Sequence, residues 1–256
     1  MISLRQLTGF SLGLAAAFSV STTAHAFEVV ANVGGSPIGV NRLNFDDLTV
    51  GTSGLFSSLG PNGDVSLHIL PGAQVAQGSA GGVYAAPYLS SENGDGFGAG
   101  GSDQANGIDV TPYLSTGRTE GTTRGIITLS FASAQKYLGL LWGSVDTYNH
   151  ISFYMDAEEV GVVSGNDPAF AGGNGGDQGM NGTRYVNINS DLPFNTVIFT
   201  SDSYAFEFDN VAYSRANVGV PDAGSTTAML VVAVVGLGVW ARRRTPVKPV
   251  TTAKVA

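Results

Sequence analysis

Apolar and polar positions divide this chain into three parts: a greasy run near each end, and between them a long body in which apolar residues come in short stretches. In the body, Ile126 to Ala132, Lys136 to Trp142, His150 to Met155, Val160 to Val163, Arg184 to Asn189, Thr196 to Thr200 and Tyr204 to Tyr213 alternate or run apolar between turn residues. They are predicted strands. Phe27 to Asn32, Leu43 to Leu48 and Val65 to Leu70 read the same way. Ser90 to Gly107 is glycine-rich and too polar for a core, and is expected to be a long surface loop. With no ten-residue amphipathic helix between strands, the pattern predicts an all-β domain, an antiparallel β-sandwich of jelly-roll type, over any α/β fold.

The first run has the layout of a secretory leader. Arg5 supplies the positive start, the apolar stretch extends from Phe10 to Val20, and Ala24-His25-Ala26 forms an A-x-A cleavage site. Signal peptidase would then leave Phe27 first. The second run follows Val220-Pro221-Asp222-Ala223-Gly224-Ser225-Thr226 and ends before Arg242-Arg243-Arg244. Counted from Ala223 to Ala241, its nineteen residues reach ~28 Å as a helix, close to the hydrocarbon thickness of a bilayer. The three arginines hold their side in the cytoplasm and leave everything before Val220 outside, in agreement with the leader. The expected organisation is a signal peptide (1–26), a β-domain (27–215), a linker with a short motif (216–222), a transmembrane helix (223–241) and a basic tail (242–256).

Composition narrows the body further. Gly, Ser, Thr, Asn, Val and Phe dominate roughly 190 residues, as suits short strands joined by turns. The chain has no cysteine, which excludes disulfides, thiolate metal sites and a cysteine nucleophile. The overall charge of −8 conceals an asymmetry. Residues 27 to 219 carry six basic and nineteen acidic side chains, a balance of −13. Such a body repels phosphate backbones, so nucleic acid is excluded as a partner.

The C-terminal arrangement of motif, helix and basic cluster resembles the PEP-CTERM class of sorting signals, and VPDAGST is similar to its VPDSG variant, with Ala223 where that variant has serine. The chain runs twelve residues beyond Arg244, longer than is usual in that class. In the body, VYAAPYLS, LGLLWGSVDTYNHISFY, GDQGMNGTRYVNI and FEFDNVAY resemble recurrent segments of exosortase-dependent surface proteins. The resemblance implies that Val220 to Thr226 are recognised by an exosortase, which removes the helix after a transient inner-membrane stage and passes the body to the cell surface or extracellular matrix. It implies a sandwich fold and assigns no chemistry.

Candidate chemistry is sparse. Past the leader only His68 and His150 remain, and neither a G-x-S-x-G elbow nor an H-E-x-x-H helix occurs. His150 with Asp146 is the one place where a triad could assemble, a surface strand histidine being the plainer reading. Calcium has three candidate sites, since it takes six to eight oxygens. Gly172 to Asp177 matches the start of a G-G-x-G-x-D repeat, but as a single copy that cannot stack. Asn93-Gly94-Asp95-Gly96 resembles part of an EF-hand loop, but Ser102 stands where the bidentate glutamate is required. Asp46-Asp47 and Asp209-Asn210 lie near opposite ends of the body sequence, ends that often meet in a sandwich. There Glu207 and Asp209, on the face opposite Phe206 and Phe208, are either a structural Ca²⁺ site or solvated acids.

The last candidate is the loop from Trp142 to Asn149. Its Trp142, Asp146, Tyr148 and Asn149 mix aromatic faces with hydroxyl-binding acceptors, as sugar sites do. The same composition also suits a hairpin loop whose Trp142 packs in the core, and the sequence leaves both open. Three functional classes follow: a structural or adhesive surface protein without catalysis, a module binding exopolysaccharide, and, third, a sandwich-fold glycoside hydrolase or lyase that would need two acids across one cleft.

Overall fold

A computed structural model describes residues 27–219 apart from 36–37, 91–92, 94–96, 98–105, 119–122 and 171–175. The expected cleavage site at Ala24 and Ala26, the motif from Val220 to Thr226, the membrane segment and Arg242 to Arg244 lie outside the described residues, as do Asn174 and its preceding glycines and the Gly94-Asp95-Gly96 turn. Among the described residues no helix is long and apolar enough to cross a membrane.

The described body is all-β. Its thirteen strands are β1 (Phe27–Asn32), β2 (Asn41–Leu43), β3 (Gly54–Leu59), β4 (Val65–Ile69), β5 (Ala73–Ala76), β6 (Tyr88–Leu89), β7 (Gly107–Ile108), β8 (Tyr113–Thr116), β9 (Ile126–Gly143), β10 (Asn149–Met155), β11 (Glu158–Ser164), β12 (Arg184–Ser201) and β13 (Phe206–Ser214). Eleven form one sheet in the order β11-β10-β12-β9-β13-β8-β5, with β1 on β12, β2 on β13, and β4 joining β3 to β9. All pairings are antiparallel.

Two long strands explain how one sheet encloses a core. The second half of β9 pairs the first half of β12 from Arg184↔Trp142 to Asn189↔Tyr137; beyond register shifts around Phe194, the other halves pair from Thr196↔Ser130 to Thr200↔Ile126. Pro193, which cannot donate to a ladder, lies inside that irregular stretch. Along one edge β12 carries β1 and then β10. Along its far edge β9 carries β4 and then β13. The sheet therefore folds over at the bulges, and its two halves face each other in a sandwich-like layer pair. Phe199 of one half stacks on Phe208 of the other with ring centroids 4.1 Å apart. Phe153 meets Phe27 at 4.7 Å across the same layer.

Several expectations change in detail. The two pairs of runs at 126–142 and 184–200 are two continuous strands of eighteen residues each, because the polar breaks between the runs bend the backbone without ending it. The predicted strand from Leu43 to Leu48 stops at Leu43, and Phe45 opens a turn closed by Leu48 N–H on its carbonyl at 2.9 Å. The stretch expected to be an exposed loop contributes to the interior: Ser90, Asn93 and Phe97 are buried. Phe97 packs on Tyr185 at 5.9 Å and under the Arg42 guanidinium at 4.8 Å, giving the outer face of β9, β12 and β13 a second small core.

Candidate functional site

The loop from β9 to β10 begins at Ser144, whose φ of 32° lies in the left-handed region, and turns back through Asp146 and Tyr148. The loop from β12 to β13 brings Tyr204, and the segment before β6 brings Tyr84. Where these three meet the start of β13 they enclose a cavity of about 210 Å³, lined by Tyr84, Ser144, Asp146, Tyr148, Tyr204 and Glu207 among others. It is smaller than the ~300–1,000 Å³ typical of drug-sized ligands and fits one small polar ring.

Hydrogen bonds hold the walls in place. Tyr148 donates its hydroxyl to the Tyr204 carbonyl at 3.0 Å, and Ser144 Oγ lies 3.3 Å from Asp146 Oδ2. Asn149 donates to the Ala205 carbonyl at 3.2 Å and accepts from Ser201 Oγ at 2.7 Å, tying the two loops together beneath the surface. On β13, Glu207 pairs with Gly143 of β9 and Ser115 of β8, so it projects from an interior strand. Its Oε1 accepts the Ala85 N–H at 2.7 Å, whereas Oε2 is buried without a hydrogen-bond partner. Burial, with a smaller push from the Asp146 charge, raises the Glu207 carboxyl to about 8, so it holds its proton at neutral pH. Burial also raises Asp146, against the hydrogen bond from Ser144.

The predicted sugar-binding residues are split by this arrangement. Asp146 and Tyr148 line the cavity. Trp142 does not: it is wholly buried, with one face stacked on Phe206 at 4.5 Å and Phe170 set edgewise at 5.2 Å, so it offers no surface to a sugar. Asn149 is buried too, with its amide consumed by the two loops. Sequence reasoning did not single out Tyr84 or Tyr204 as ligand-binding: Tyr84 lies in the VYAAPYLS stretch and Tyr204 at the start of a predicted strand, and neither segment signals a site by itself. It placed Glu207 on the face away from Phe206 and Phe208, but that face is covered by the segment containing Ala85, and no periodicity reports such cover.

The predicted calcium residues are also divided. Asp209 and Asn210 are buried in β13, Asp46 lies close enough to Asp209 to affect its charge, and Asp47 is exposed in the turn beside a different hollow. After burial itself, the charge of Asp109 is the strongest influence that raises the Asp209 carboxyl, so the two acids are not both readily ionised. Burial raises both. Asp109 Oδ1 is already taken by the Thr111 N–H at 2.9 Å and hydroxyl at 2.6 Å, and the Asn210 amide donates to the Asn93 carbonyl at 2.9 Å. These are not solvated surface acids. Among the described residues no three acids or histidines are grouped so as to hold a metal ion. His150 lies on a half-exposed strand surface, the plainer of its two readings, with Asp202 at 3.6 Å, while His68 is exposed on β4.

Compared with known proteins, the chain matches no family model and no curated protein.

Proposed function

We propose that this chain is an exported cell-surface or matrix protein, sorted through its C-terminal motif by an exosortase, whose jelly-roll-like β-sandwich acts without catalysis and adheres by holding a carbohydrate in the cavity beside β13. The observation that carries the binding half is the lining itself: tyrosines from three segments around Asp146, Ser144 and Glu207. Aromatic bodies suit the apolar faces of sugar rings, and acceptors suit their hydroxyls. The export half rests on the leader, the VPDAGST motif, the apolar run and the three arginines.

A glycan array probed with the full chain tests the binding half. Binding to a defined set of glycans, weakened about tenfold or more by Asp146→Ala at unchanged melting temperature, is the expected result. A blank array from well-folded protein contradicts it. The two acids in one cavity give a second reading, glycoside hydrolysis, for which paired carboxyls are required. Turnover of aryl glycosides by the parent chain and none by Glu207→Gln would replace binding with catalysis.

A further inference from the structure

None of the described residues lining the cavity is basic, yet two of them are carboxylic acids. Glu207 feels the Asp146 charge, and its Oε2 is left in the interior with no donor. With Oε1 accepting from Ala85, the Glu207 proton sits on Oε2; once that proton is lost, Oε2 and the second acid beside it are both acceptors, and a cation that carries N–H groups satisfies them together. Tyrosine rings attract the same cation through their faces. At longer range, the balance of −13 over residues 27 to 219 draws positively charged polymers toward the body and repels anionic ones.

We propose that the cavity takes a protonated amino sugar, an N-deacetylated residue of a polysaccharide, with its ammonium beside Asp146 and Glu207 and its ring against the tyrosines. This rests on the carbohydrate reading above and names the class of sugar. An ammonium offers three donors, enough for Asp146, Glu207 and the Ser144 hydroxyl at once. An N-acetyl group removes the charge and adds bulk; a neutral hydroxyl keeps the donor and loses the charge.

Binding of such a ligand is linked to a proton. In the empty cavity Glu207 is protonated at pH 7, and an ammonium beside it favours the ionised form, so the acid proton leaves as the ligand arrives. The groups facing Glu207 are Asp146 and Tyr148 from the β9–β10 loop, Tyr113 from β8, Tyr84 from the segment before β6 and Tyr204 from the β12–β13 loop. Burial pushes Tyr113 and Tyr148 further above neutral pH, which leaves Glu207 as the group that releases the proton near pH 7.

Calorimetric titration of the full chain with β-1,4-linked trimers of glucosamine, N-acetylglucosamine and glucose, in buffers of different ionisation enthalpy, tests this. The expected result is a preference of about tenfold or more for the glucosamine trimer, with release of about one proton per ligand at pH 7. Asp146→Asn should lose most of that preference, and Glu207→Gln, still folded, should release about one proton fewer per ligand than the parent chain, whatever the amine itself takes up. Equal or tighter binding of the neutral trimers overturns the amino-sugar assignment and leaves the carbohydrate reading standing. No binding of any trimer by folded protein overturns both.

Discussion

At the scale of single residues, the body is marked by acids in its interior. Glu207, Asp109 and Asp209 are each at most 2% exposed, and burial raises all three. The sign of the consequence follows from proton counting. Unfolded, Glu207 ionises near 4.5; folded, it keeps its proton to about 8, so between those values the folded chain binds more protons than the unfolded one. Stability is therefore fully present below the lower value and falls as pH rises through the window, by on the order of 1 kcal/mol per pH unit. Denaturant midpoints should be higher at pH 5 than at pH 8, and Glu207→Gln should flatten the slope; a midpoint that climbs over that range contradicts the assignment. Trp142 gives a second prediction. Stacked on Phe206 inside the core, Trp142→Ala should cost about 3–5 kcal/mol in chemical denaturation, a loss of folding and not a selective loss of ligand. From sequence, Trp142 suits packing in the core as well as stacking on a sugar, because an indole face serves either. Only the placement of Phe170 and Phe206 decides between them.

At the scale of elements, alternating or apolar runs identified the longest strands and missed shorter ones, whether buried or open. β1 has the predicted limits, while β10 and β4 differ by one residue at an end. β3, with its mostly exposed GLFSSL, and the short β5 and β8 gave no periodic signal because other strands cover them or leave them open. The bends in β9 and β12 were read as strand ends, since serine, glutamine and proline interrupt the apolar pattern there just as a turn does. The cavity was legible only in part for the same reason: the Asp146–Tyr148 loop follows a strong strand, whereas Tyr84 and Tyr204 arrive on segments that only the tertiary fold brings near. The long strands also carry a packing prediction. Gly139 of β9 sits against the Tyr137 hydroxyl and has Tyr185 Oη 3.0 Å from where a Cβ would stand. Gly139→Ala should therefore destabilise the body by roughly 1–3 kcal/mol, read as a lower denaturation midpoint; an unchanged midpoint would show that the second core yields easily.

At the scale of the whole molecule, an acidic β body lies between two apolar terminal runs, which we propose set its address. The described strands run from Phe27 in β1 to Ser214 in β13, and we propose that both terminal runs are removed as the body is exported. Intact-mass measurement of the protein recovered from the producing cells and their surface fraction tests this most directly. The account predicts a surface species that begins at Phe27 and ends within or shortly before the Val220–Thr226 motif, without the apolar run or the arginines. A cytosolic species that retains both Met1 and Ala256 would contradict it.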